Sequence, residues 1–232
     1  MINSEVDNDL SIQVVRSKRR KKTSSIIISN GTVKVVVPDQ ISDFIIKELI
    51  NKKMSWIRKK LQDESNIKPV IDKEYVDGES FTYLGNDYQL KSLVGNVSFV
   101  NVSSDYINVL LPKKSKENIK SLLEYWYKEK AIEILTETTN RYAKIIGVSP
   151  SEISAGDYKS KWGSCSTERK ISYNWKIIIA PRKILEYVVI HELCHMLEHN
   201  HSKEYWRLVS TYCHDFKECR KWLRLNSRSL AI

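Results

Sequence analysis

Glycine is scarce in this chain, seven among 232 residues, and no glycine-rich segment of the kind that cradles phosphates is present. No apolar run reaches the roughly 20 residues that span a bilayer, so no membrane role is expected. The opening segment MINSEVDNDL is acidic and lacks the apolar core of a secretory signal, which points to a cytoplasmic location. Four cysteines (Cys165, Cys194, Cys213 and Cys219) form no CxxC pair and no recurring spacing. Free thiols in a reducing compartment fit that pattern better than disulfides. Internal repeats and low-complexity tracts are absent too. What remains, 41% hydrophobic and 28% charged, is the composition of an ordinary globular protein.

The net charge of +10 is partly local: six of the seven residues from Arg16 to Lys22 are basic. Arg16, Lys18, Arg19, Arg20, Lys21 and Lys22 are candidates for contact with phosphates, on a nucleic acid or a nucleotide. The plainer reading is a solvated strand whose lysines discourage edge pairing. No aromatic residue is interleaved to stack on bases.

Hydrophobic periodicity places the elements. SSIIISNGTVKVVVP reads as two strands joined at Asn30-Gly31, a dipeptide suited to a type I′ hairpin turn. After Pro38, Phe44, Ile45, Leu49, Met54, Ile57 and Leu61 mark an amphipathic helix with Ser42 or Asp43 as cap. Short strands follow, with a turn near Gly85-Asn86. A long helix is expected from about Ser115 to Ile146, closed by Gly147. KISYNWKIIIAP reads as a strand ended by Pro181, and RKILEYVVIHELCHMLEHN as a buried helix, with two shorter helices after it. The expected class is α+β, with a β-rich region over residues 1–112 and a helix-rich region over 113–232. A boundary near Pro112 divides either two domains or two halves of one compact unit.

Four of the five histidines fall between residues 191 and 201. His191-Glu192-Leu193-Cys194-His195 is an HExxH motif. Residues four apart on a helix share a face, with Cβ atoms about 5–6 Å apart, so both imidazoles can reach one ion. Glu192 can then serve as the general base rather than as a ligand. A catalytic zinc takes three protein ligands and leaves a fourth position open. On a continuous helix His199 would lie about 12 Å beyond His191 along the axis, too far to share a tetrahedral ion. The third ligand must come from chain that has turned back. Asn200 suits the left-handed conformation that ends helices, and Ser202 suits the cap of the next one. His201 lies in that turn and is the expected third ligand.

Other registers overlap. His195-Met196-Leu197-Glu198-His199 is HxxEH, which would make Glu198 the base and require Glu204 or Glu218 as a further ligand. The spacing from His191 to His201 also matches the metzincins, but Glu198 stands where their glycine would be and no methionine follows Met196. A buried helix could also carry HExxH with both histidines merely hydrogen-bonded. His199 reads as exposed or supporting, and His214 as a helix-end residue before an Asp215 cap.

KSKWGSCS, followed by ISYNWKIIIAPRKILEYVVIHELCHMLEHNHSKEYW, resembles the YgjP-like metallopeptidase domain family, relatives of the SprT-like and WLM zinc peptidases. The matching positions include Trp162, Gly163, Ser164, Cys165, Asn174, Pro181, Tyr187, His191, Glu192, His195, His201 and Trp206. The resemblance spans roughly residues 14 to 226. It implies a zincin-like fold over 113–232, with the HExxH helix packed on a small sheet. It further implies one Zn2+ on His191, His195 and His201, with Glu192 catalytic. His199 is not a usual position of the family pattern.

The favoured expectation is a zinc metallopeptidase in which the ion lowers the pKa of its bound water to about 7 and Glu192 moves the proton. Tyr173, Asn174 and Trp175, on the strand before the helix, are candidate substrate contacts through β-augmentation; a plain core strand is the alternative. Tyr173, Tyr205 and Tyr212 are candidate oxyanion stabilisers. Two rival expectations are a zinc-dependent nucleotide or phosphoanhydride hydrolase, and a nucleic-acid-associated protein with a structural zinc.

Overall fold

The computed structural model describes residues 10–29, 31–65 and 72–232. By its contacts the chain divides into two compact units, Met1–Lys68 and Pro69–Ile232, so position 112 lies inside the second.

In the first unit, β1 (Ile12–Ser17), β2 (Ser25–Ser29) and β3 (Thr32–Pro38) form a sheet of order β1-β3-β2, followed by α1 (Asp43–Ser65). The β2–β3 ladder is antiparallel and runs to Ser29 opposite Thr32. The turn type expected at Asn30-Gly31 rests on Asn30, which lies outside the described residues. Val33, Val35 and Val37 alternate inward from β3 and meet Ile46, Ile50 and Ile57 of α1. Ser42 takes the cap, its Oγ accepting from Ile45 N at 3.4 Å. The buried stripe is out of phase with the expected one at its start, because Phe44 is 75% exposed and Ile45 48%. At about 100° per residue, Phe44 lies on the far side of the helix from Ile46, whose stripe continues through Ile50 and Ile57.

The second unit opens with β4 (Ser80–Tyr83), β5 (Asn86–Val94), β6 (Phe99–Ser103) and β7 (Tyr106–Leu111), in the order β4-β5-β7-β6. The β4–β5 turn is at Leu84-Gly85, both with positive φ (50° and 82°). Its backbone amides donate to Ile178 O at 2.8 Å and Ile179 O at 3.1 Å. A Cβ on Gly85 would stand 2.7 Å from Pro181 Cα, so only glycine lets the turn seat against the segment that leads into the histidine helix.

Helix α2 (Lys116–Ile146) starts at the Ser115 cap and ends at Gly147 in the left-handed conformation, as its sequence predicts. The second sheet, β8 (Glu152–Gly156), β9 (Gly163–Cys165) and β10 (Lys170–Asn174), has the order β8-β10-β9, with β10 central. The expected long strand stops at Asn174. Residues Trp175–Ile179 form a 3-10 turn, and Asn174 Oδ1 accepts from Lys176 N at 3.1 Å to start it. The apolar run there does not alternate, and a tight helical turn buries Trp175, Ile177, Ile178 and Ile179 together. Three helices complete the unit: α3 (Arg182–Cys194), α4 (Lys203–Tyr212) and α5 (Phe216–Asn226). Tyr173, Leu185, Val189 and Leu193 join one core with Leu123, Tyr127 and Leu135 of α2. The result is the expected α+β plan with the histidine helix set against a small sheet.

Asp77 joins the first sheet of this unit to the entry of α2. Its Oδ1 accepts from Ser92 N at 2.7 Å and Ser92 Oγ at 2.6 Å, while Lys114 Nζ reaches Oδ2 at 2.7 Å. The Lys114 and Ser92 hydrogen bonds lower its pKa from 3.8 to about 2. A depressed folded-state pKa contributes stability that is complete above the unfolded value and lost as pH falls through the folded one. Asp77→Asn should therefore be less stable than the wild type in urea at pH 6, with the gap closing between pH 3.8 and about 2. A gap that is constant with pH would refute the assignment.

Candidate metal centre

Helix α3 carries His191 and Glu192 on its last turn, and His195 is its C-cap residue. The chain turns there, earlier than expected: Met196 N bonds Leu193 O, and Leu197 N and Glu198 N both bond Cys194 O. Asn200 is not among the residues of positive φ. The reversal instead follows from the compact turn at residues 195–198, whose amides find partners within α3. Ser202 then caps α4, its Oγ accepting from Tyr205 N at 3.1 Å.

This path brings His201 back over α3. Its Nε2 lies 3.1 Å from His195 Nε2 and 3.3 Å from His191 Nε2. Two nitrogens of a tetrahedral zinc site, each about 2.05 Å from the ion, stand about 3.3 Å apart. The donor set therefore fits such an ion. His191, His195 and His201 form one of the potential metal-ligating groups among the described residues. His199 is exposed and stands outside it, so the HxxEH register is not assembled.

The outer nitrogens fix the tautomers. His195 Nδ1 lies 3.2 Å from the Glu198 carbonyl, which can only accept, so Nδ1 carries the proton and Nε2 keeps its lone pair. The Tyr205 hydroxyl donates to His191 O at 3.0 Å and lies 2.7 Å from His191 Nδ1, from which it accepts. Both rings thus present bare Nε2 atoms to the centre. Burial, reinforced by His195 and His201, pushes the pKa of His191 down to about 3. Burial also lowers that of His195. Neutral imidazole is the form that ligates metal.

Glu192 is 4% exposed. Burial raises its pKa to about 8, with Lys161 opposing. Its side chain lies against Gly163 of β9, where an added Cβ would come within 2.6 Å of both Glu192 Cγ and Oε1. Because β9 is the edge of its sheet, the buried carboxylate sits beside a strand with one side unpaired within that sheet. The sequence did not single out Gly163 or Lys161 for these contacts; their signal was only proximity to the WGSC segment.

Other expected residues lie elsewhere or act otherwise. Tyr205 is fully buried, and its hydroxyl is committed to His191, so it orients that imidazole. The Tyr173 hydroxyl is committed to Thr139 Oγ1 at 3.0 Å in the core. Asn174 Nδ2 donates to Tyr158 O at 2.7 Å, and Trp175 is buried. Strand β10 is paired on both sides, parallel to β8 and antiparallel to β9. The candidate substrate contacts Tyr173, Asn174 and Trp175 are therefore supporting residues, and β10 has no edge to offer. Tyr212 is a partly buried residue packed on the core.

In the first unit the basic block separates into two kinds of residue. Arg16 donates to Asp39 O, Ile41 O and Asp43 Oδ1 at 2.6–2.7 Å, tying β1 to the start of α1. Arg20 reaches Ser25 Oγ at 2.8 Å. Lys18, Arg19, Lys21 and Lys22 are exposed in the connection to β2.

Tyr205→Phe removes the acceptor for His191 Nδ1–H while keeping the ring that stacks on His195 at 4.5 Å. Loss of such an outer hydrogen bond typically weakens metal binding about 10–100-fold. Chelator competition should show that loss with the fold intact; unchanged affinity would remove Tyr205 from the centre. Gly163→Ala should displace Glu192 and cut activity while leaving metal content unchanged. Wild-type turnover in that variant would show that the contact is dispensable.

Comparison with curated proteins returns no match. Among solved structures, the metallopeptidase zymogen abylysin of Pyrococcus abyssi aligns at 18% identity and a TM-score of 0.37, covering 42% of this chain and 99% of its own. The zymogen jannalysin of Methanocaldococcus jannaschii aligns at 19% and 0.33, covering 36% and 90%. The family model described as YgjP-like, metallopeptidase domain, matches residues 22–226. With nearly the whole chain matched and its histidines gathered as described, this protein belongs to the YgjP-like metallopeptidase domain family and is a metallopeptidase-type hydrolase.

Proposed function

We propose that the protein is a zinc-dependent peptidase in which His191, His195 and His201 hold one ion and Glu192 is the general base. The convergence of three imidazole Nε2 atoms, with His201 Nε2 3.1 and 3.3 Å from those of His195 and His191, carries this reading. Zinc held there supplies a Lewis acid that brings the pKa of a coordinated water to about 7. Glu192, one residue from His191 on the same helix turn, takes the proton of the attacking water and passes it to the leaving amine. Its burial suits that exchange, because a carboxylate held in an apolar site binds a proton more tightly than one in water. Three protein donors are the number that a catalytic zinc would take, whereas a structural zinc would take four.

An extended peptide could pair beside this carboxylate along β9, the terminal strand of its sheet. The pairing role expected for β10 accordingly passes to Gly163, Ser164 and Cys165. No helix among the described residues is long and apolar enough to cross a membrane, and all four cysteines are free thiols. The family supports a peptide or protein substrate.

Lys161 favours a second reading. Its ammonium lies 2.8 Å from Ser164 Oγ and is the charge that acts most strongly on Glu192. A cation there could hold an anionic group, and the same centre could hydrolyse a nucleotide phosphoanhydride. The exposed Lys18, Arg19, Lys21 and Lys22 supply further positive charge for nucleic acid or nucleotide contact.

Unfolded-protein substrates and nucleoside triphosphates, assayed side by side with wild type and Glu192→Gln, separate the readings. Peptide cleavage should fall about 10²–10⁴-fold in the variant while zinc at the histidine centre is retained. Nucleotide hydrolysis lost in the same variant, without peptide cleavage, would establish the second reading. Undiminished turnover in Glu192→Gln would refute the role of that residue under either.

A further inference from the structure

Among the described residues, another group of metal-ligating side chains gathers where α4 meets α5. The Cys213 and Cys219 sulfurs and a carboxylate oxygen of Asp215 lie within 4.8 Å of one another. None of them belongs to the histidine centre, and both thiols are buried. Asp215 stands at the N-cap of α5 yet makes no side-chain cap bond. An aspartate there ordinarily accepts from the amides of the first helical turn. Here the carboxylate pairs with the Lys183 ammonium and accepts from the Cys213 thiol, whose Sγ lies 3.6 Å from Oδ1.

That distance is informative. Tetrahedral coordination, with sulfur about 2.3 Å and carboxylate oxygen about 2.1 Å from the ion, sets the two donors about 3.6 Å apart. Thiolate ligands also select the kind of ion, favouring Zn2+ and softer cations over Mg2+ or Ca2+. The geometry points to a second metal site, in which Cys213, Asp215 and Cys219 bind one thiophilic divalent cation. On binding, both thiols release their protons to solvent and Asp215 exchanges Lys183 for the ion. No change of oxidation state is involved.

Occupancy would reach the histidine centre through packed rings. Phe216, enclosed between the ligands Asp215 and Cys219, stacks on Trp206 at 5.4 Å with 14° between the planes. Trp206 stacks in turn on His201 at 5.4 Å and 15°. An ion that clamps residues 213–219 therefore braces the aromatic wall behind the third histidine.

The test is a Co2+ and Cd2+ titration of the full-length, metal-stripped protein under a phosphine reductant. Thiolate coordination produces a sulfur-to-metal charge-transfer band in the ultraviolet, which three imidazoles cannot produce. Wild type should bind two ions per chain and show the band. His201→Ala should keep the band and lose the other ion, whereas Cys213→Ser/Cys219→Ser should lose the band and still bind one ion. Cys165→Ser should leave the band intact. A wild-type protein without the band would overturn the second site whatever the variants do, and so would a band that survives in the double cysteine variant. Loss of binding at the histidines alone would count against the proposed function and leave this site standing.

Discussion

The Tyr205 hydroxyl holds α3 and α4 to one geometry. It accepts a hydrogen bond from His191 Nδ1 and donates one to the carbonyl of the same residue. One phenol thereby fixes the ring orientation and the tautomer of His191 and anchors the last turn of α3 to the first turn of α4. Tyr205 depends on the Ser202 cap, and Ser202 follows directly on His201. His201, the cap and the orienting hydroxyl are thus successive consequences of one short reversal of the chain.

Three imidazole Nε2 atoms converge, in a pocket whose burial discourages protonation of His191. Hydrogen bonding and packing hold them there: the Glu198 carbonyl on His195, Tyr205 on His191 and the Trp206 ring on His201. Bracing of this kind belongs to a preorganised site, where the surrounding fold holds the donor atoms in place. Glu192 is under a related constraint, being a carboxylate in an apolar setting with the Lys161 ammonium as the main charge opposing its protonation.

Much of this was legible in the sequence because the chemistry is local. The histidines and the glutamate fall within eleven residues, and the pairing of His191 with His195 is a property of helix pitch alone. Ser115, Gly147 and Ser202 likewise declare their helix ends by residue type. What could not be read depended on partners remote in the chain. Tyr173 looks like a substrate contact until Thr139 accounts for its hydroxyl, and Arg16 looks like a phosphate contact until Asp39, Ile41 and Asp43 account for its guanidinium. The strand through Trp175 failed for a different reason, since an unbroken apolar run suits a buried helical turn as well as a buried strand. The early turn at His195 left no residue-type signal, because the His195 backbone remains in the right-handed helical region.

The meeting of Gly163 with Glu192 has a mechanical implication. With no side chain between them, a shift of the rim strand is passed directly to the Glu192 carboxylate. If peptides do add to that rim, docking a substrate backbone also sets the carboxylate, so recognition and alignment become a single event. Fragments too short to zip along the rim would then suffer twice, held loosely and met by a poorly aimed base.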